Sequence, residues 1–352
     1  HGCAVVMEVA TGDVRAIANL ERDENGNYVE SYNYAIAEST EPGSTFKLPS
    51  LMAAIEDGVI DTNDIVDTGN GTVRYYNKVI RDTREEGYGR LSVKEVFEKS
   101  SNVGTSKLIY DHYKNNPRDF VNRLYAMKLN EKLDIQIQGE GTPLIRYPGE
   151  KYWSGLSLPM MSHGYEVQMT PLQILTFYNA VANDGRMMKP RFVTAVMRNG
   201  TVLKRYEPDV IINTIASRST IRKAKKMMEG VVQHGTATNL RNSNYKIAGK
   251  TGTAQIARGK SGYRSGSKIS YQASFVGYFP AESPLYSCIV VVNAPSNGVY
   301  YGNLVAGSVF KEISDKIYAT NFFRDYKTIE NTKASAPEAG NGFRRDINEV
   351  LS

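Results

Sequence analysis

Strand-like apolar runs stand at both ends of this 352-residue chain, and helix-like periodicity fills its middle. Residues 3–9 (CAVVMEV) and 14–19 (VRAIAN) read as two strands joined by a turn at Thr11-Gly12-Asp13. Residues 246–256, 271–279 and 285–294 are strand-like again, and a last helix is expected over 304–319. Between these ends the spacing predicts helices from Ser44 to Gly58, from Ser92 to about Ser100, and over 103–113, 117–129, 171–184 and 219–233. Ser92-Val93-Lys94-Glu95 fits a capping box. Pro171 suits a first helical position. Residues 61–90, rich in Asp, Gly, Asn and Tyr, read as an irregular excursion, and 139–165 shows little periodicity. The simplest closure is an α+β fold: one antiparallel sheet built from both chain ends and flanked by helices, with a mainly helical lobe inserted. That lobe is expected within 45–245 of a domain spanning 1–327, and the polar tail 328–352 reads as a linker.

Charge and residue usage exclude several classes. The net charge of +6 comes from 43 basic and 37 acidic residues mixed along the chain, so no nucleic-acid partner is expected. No apolar run approaches the roughly 18 residues of a membrane helix. The chain opens at His1, directly in a strand, and reads as a portion of a longer protein. The four histidines show no metal spacing, and neither metal nor organic cofactor is expected. Cys3 and Cys288 lie in apolar runs and read as small core residues, a disulfide being the alternative.

Three short motifs carry chemistry. Ser44 and Lys47 stand three residues apart at a predicted helix start, on one face, which brings the amine within hydrogen-bond reach of the hydroxyl. A serine hydroxyl needs a neighbouring base to become a nucleophile. A lysine serves when burial and nearby cations lower its pKa. Lys250-Thr251-Gly252-Thr253 lies on a predicted strand, where glycine admits close approach to the backbone and two hydroxyls suit an anionic, peptide-like ligand. Gly249-Lys250-Thr251 imitates the end of a phosphate loop, but Asn244 replaces the required glycine and a strand follows instead of a helix. Ser100-Ser101-Asn102 joins two predicted helices and offers a hydroxyl and an amide.

In this order, S-x-x-K, S-x-N and K-T-G resemble the motif set of β-lactamases and penicillin-binding proteins. The chain resembles the transpeptidase domain of class B penicillin-binding proteins, most of all the septal (cell-division) type. Pro42-Gly43-Ser44-Thr45-Phe46-Lys47 and residues 248–255 (AGKTGTAQ) carry the likeness. Thr170-Pro171-Leu172-Gln173, Ala182-Asn183-Asp184-Gly185 and residues 273–280 (ASFVGYFP) extend it over about 2–320. Glu166 departs from the family, which often has a second glycine there. The resemblance implies a penicillin-binding-protein/β-lactamase-like fold and a D,D-transpeptidase of peptidoglycan stem peptides that β-lactams acylate. It implies Ser44 as nucleophile, Lys47 as base with help from Ser100 and Lys250, and Asn102 steadying both Lys47 and the peptide amide. It implies Thr251, Gly252 and Thr253 as the substrate and oxyanion strand. It also implies an extracytoplasmic site, an N-terminal membrane anchor outside this chain, and a membrane glycosyltransferase and division proteins as partners.

The rivals are a β-lactamase, a β-lactam-sensing domain and a D,D-carboxypeptidase. A class A β-lactamase would add a glutamate in an E-x-x-L-N segment, which is missing. A class D enzyme would place Tyr-Gly-Asn before K-T-G, whereas Tyr301-Gly302-Asn303 follows it.

Overall fold

The computed structural model describes residues 1–256, 270–296 and 298–326. Residues 1–311 form one compact unit, and the described part of a second is the remainder of the helix Gly302–Tyr326. The tail expected over 328–352 lies outside the described residues.

The two ends of the chain meet in one six-stranded sheet. Its order is Ala248–Gln255, Tyr271–Phe279, Tyr286–Asn293, Gly2–Glu8, Val14–Arg22, Tyr28–Val29. All its pairings are antiparallel. The join between the ends is the ladder Gly2–Glu8 against Tyr286–Asn293, with Val5 opposite Ile289. Both of these residues are fully buried, so the register is fixed by side chains that water cannot reach. Cys3 and Cys288 are buried and free, as core residues rather than a disulfide.

The inserted region packs its helices around Lys47–Glu56 and Pro171–Ala182, both buried along almost their whole length. Such all-round burial marks central helices. Local signals set their limits. Ser92 and Glu95 close the expected capping box, and Thr170 and Gln173 close another ahead of Pro171.

Two parts of this region are more regular than the sequence suggests. The stretch 61–90 holds a pair of strands, Ile65–Asp67 with Arg90–Ser92, around a tight hairpin of Thr72–Tyr75 and Lys78–Arg81. A second hairpin, Ala195–Arg198 with Thr201–Arg205, lies exposed on the surface. Strands of three to five residues are too short to show a period.

Candidate active site

The three motifs come from different elements that converge at one edge of the sheet. Ser44 lies half-buried in the 3₁₀ turn Gly43–Phe46, directly before the buried helix Lys47–Glu56. The turn is fixed on several sides. Gly43 N–H donates to Gly164 O at 3.1 Å, and Tyr178 Oη donates to Thr45 O at 2.8 Å. Gly43 itself has φ +55°, the left-handed region that favours glycine, and a β-carbon there would lie 2.8 Å from Ala254 Cβ. The turn therefore presses against the edge strand Ala248–Gln255. On that strand a β-carbon at Gly252 would lie 2.2 Å from Ser274 Oγ and 3.1 Å from Thr45 Cγ2. Only glycine leaves room for this approach.

Lys47 is fully buried. Its Nζ contacts Ser100 O at 2.6 Å, Asn102 Oδ1 at 2.7 Å and Ser100 Oγ at 3.1 Å. The expected direct bond to Ser44 is not formed: among the described residues the Ser44 hydroxyl has no hydrogen-bond partner. The carbonyl and amide oxygens around Lys47 accept only, so the amine donates to both. Its remaining direction faces the Ser100 hydroxyl. Lys250, also fully buried, donates from Nζ to the same hydroxyl at 2.8 Å and to Thr251 O at 3.0 Å. Ser100 Oγ thus bridges two lysine amines.

Burial sets the charge of both amines. It pushes Lys47 from the usual ammonium range down to about 7, the carboxylate of Asp82 acting against the shift. Lys250 is held well below its usual value by burial and by the positive charge of Lys47. Buried His163 is driven down to about 3 by desolvation and then by Lys47, so it stays neutral.

The second motif sits at a helix stop. Ser100 has φ +57°. Ser101 N–H donates to Val96 O, and Ser100 N–H to Phe97 O. These are the two bonds of a Schellman motif, whose left-handed position glycine usually fills. Ser101 then caps the next helix, accepting from Gly104 N–H at 2.8 Å. Asn102 is held at both ends of its amide, by Lys47 and through Nδ2 to Arg81 O at 2.8 Å.

Asp82 is the residue that reading the sequence misses. It accepts from Ser101 Oγ at 3.0 and 2.8 Å and from Val103 N–H at 3.0 Å. It thus ties the hairpin of Thr72–Arg81 to the second motif. No sequence spacing announces it, since it stands in the excursion 61–90.

Thr251 is buried beside Lys250, and Thr253 Oγ1 accepts from Gly302 N–H at 3.2 Å. The carboxylates most open to question as bases for hydrolysis are engaged elsewhere: Glu150 accepts from Tyr147 N–H, and Glu166 accepts from Ser157 Oγ at 2.7 Å. No group of three or more His, Cys, Asp or Glu among the described residues is placed to hold a metal.

Comparison with known proteins gives one consistent result. Residues 2–315 match the family described as penicillin binding protein transpeptidase domain. The chain is 31% identical over 325 residues to the peptidoglycan D,D-transpeptidase FtsI of Escherichia coli K12, covering 91% of this chain and 51% of that protein. It is 30% identical to penicillin-binding protein PbpB of Mycolicibacterium smegmatis, covering 83% of this chain and 46% of PbpB. The chain thus spans about half the length of these relatives. Among solved structures it is similar to the apo transpeptidase domain of Burkholderia pseudomallei penicillin-binding protein 3, with TM-score 0.74 and 28% identity over 91% of this chain and 88% of that one. It is likewise similar to penicillin-binding protein 3 of Mycobacterium tuberculosis complexed with aztreonam, with TM-score 0.76 and 26% identity over 91% and 73% of the two chains.

Proposed function

The chain belongs to the penicillin-binding-protein transpeptidase family, and we propose that it is a serine D,D-transpeptidase that cross-links peptidoglycan stem peptides in septal wall synthesis. The observation that carries this reading is the Ser100 hydroxyl held between the Lys47 and Lys250 amines, 3.1 and 2.8 Å away, beside the turn that bears Ser44.

Ser44 Oγ attacks the carbonyl of the penultimate D-alanine, and Lys47 takes its proton with help from Ser100 and Lys250. A lysine near pKa 7 has a large neutral fraction at working pH, which suits general-base work. The tetrahedral oxyanion is held by the N–H groups of Ser44 and Thr253, and removal of one such donor costs about 10²–10³ in rate. Thr251 and Thr253 bind the terminal carboxylate near Lys250, Gly252 lets the peptide backbone lie close, and Asn102 steadies Lys47 and the peptide amide. The C–N bond breaks as the proton returns through Ser100 to the departing D-alanine amine. An acceptor amine from a neighbouring strand then attacks the ester and frees Ser44. A β-lactam acylates the same serine, but its leaving group stays tethered and blocks that approach. In the whole protein this domain works outside the cytoplasm behind an N-terminal membrane anchor, beside a membrane glycosyltransferase and division proteins.

Intact-mass spectrometry with benzylpenicillin tests the reading. One adduct is expected, on the peptide containing Ser44, and it should persist for many minutes. Ser44→Ala should take none. Label retained in Ser44→Ala would overturn the assignment of the nucleophile. Loss of label within seconds, with steady drug consumption, would instead identify a β-lactamase.

A further inference from the structure

Thr236 lies outside all three motifs, in the segment that follows the helix Arg218–Gln233. Its Oγ1 is 2.8 Å from Thr251 Oγ1. Its backbone N–H donates to Glu98 O at 3.1 Å, two residues before Ser100. Thr236 is therefore anchored to the element that carries the second motif while its side chain touches the third. The anchor is tight: a β-carbon at the preceding Gly235 would lie 2.2 Å from Glu98 O. Thr236 is half-buried, whereas Thr251 is 7% exposed.

We infer that Thr236 is a positioning residue that makes the third motif selective for a carboxylate, by donating to Thr251 and turning the Thr251 proton toward the substrate. The inference rests on the transpeptidase reading above. A hydroxyl has one proton and two lone pairs. When Lys250 carries its proton, the form that a bound carboxylate favours, its Nζ, 3.5 Å from Thr251 Oγ1, can only donate. When Thr236 donates as well, both lone pairs of Thr251 are occupied on the protein side, and its single proton is free for an anion in the cleft. When Thr236 accepts instead, that proton is consumed and Thr251 shows a lone pair to the cleft, which repels a carboxylate. An arriving anion selects the first arrangement. A threonine or serine at 236 makes that arrangement available, and an apolar side chain removes it.

The test compares acylation rate constants for benzylpenicillin and for its methyl ester, whose uncharged oxygens accept a hydrogen bond more weakly. In Thr236→Val the rate with the free acid should fall about tenfold to a hundredfold, the scale of one hydrogen bond to a charged group. The ester rate should stay within about twofold, so the acid-to-ester preference shrinks. Thr236→Ser should keep the wild-type preference. A valine variant that loses both rates equally, or keeps its preference, overturns the inference. Should valine fail to fold, as judged by thermal unfolding, Thr236→Ala is read against Thr236→Ser by the same ratio. A wild-type protein that takes no label from either compound would overturn the transpeptidase reading, and this inference with it.

Discussion

At Ser100 the backbone and the side chain make opposite demands. The helix stop needs φ near +57°, which glycine adopts freely and other L-residues adopt at a cost of roughly 1–2 kcal/mol. The two lysine amines need a hydroxyl there. Ser100→Gly relieves that strain but removes the hydroxyl's bonds to two buried amines, worth about 1–3 kcal/mol, so the denaturation midpoint should change little while penicillin acylation falls by about 10² or more. Unfolding curves and labelling rates measured on the same preparation check both halves, and a glycine variant that acylates normally would remove Ser100 from the proton path. Reading the sequence puts a helix junction at Ser100-Ser101-Asn102 but not its left-handed turn, because glycine is what such a turn normally announces. It also pairs Lys47 with Ser44, since spacing on a helix reports only neighbours within that helix. The oxygens of Ser100 and Asn102, more than fifty residues on, claim the amine instead.

The hairpin Thr72–Arg81 shows how an element with no readable period can govern a site. Its strands are four residues each, and what it delivers is the next residue, Asp82. Asp82 has two separable effects. Its carboxylate holds Ser101 and Val103 in place, and its charge favours the protonated form of Lys47. The charge acting on that amine is Asp82; Lys250 is itself held low by the charge of Lys47, and His163 stays neutral beside it. Acylation by wild type should rise with pH and level off above about 7, as Lys47 loses its proton. Asp82→Asn keeps an acceptor for Ser101 but removes the charge, so Lys47 is deprotonated at lower pH and the acid limb should move down. Asp82→Ala also releases Ser101 and Val103, and its plateau should fall about tenfold or more. Stopped-flow rates from pH 5 to 9 distinguish the two, and an unchanged limb in Asp82→Asn would show that the charge of Asp82 does not reach Lys47. The helices around the site are legible where caps are spelled out, as at Ser92 and Thr170. The hairpin is not, because its anchor is a carboxylate whose partners lie some twenty residues away.

For the whole molecule, the two-ended sheet is legible because its long strands are apolar runs confined to the two chain ends, and the runs 3–9 and 285–294 each keep one edge open after pairing with their neighbours in sequence. Since the site is assembled on this sheet from distant segments, core damage far from the cleft should reach it. Ile289→Ala, fully buried opposite Val5, should cost about 2–5 kcal/mol. Loss of penicillin labelling and loss of far-UV signal should then follow one denaturation curve. Two separated curves would show that the site unfolds independently of the sheet. The strand Gly2–Glu8 is bonded along both edges, to Val14–Arg22 on one side and Tyr286–Asn293 on the other. Its ladder bonds run perpendicular to the chain. A tether pulling on residue 1 along that axis therefore loads both ladders in shear, and the bonds share the force instead of opening one by one. Pulled from that end, the sheet would resist with two whole ladders at once, not with one bond at a time.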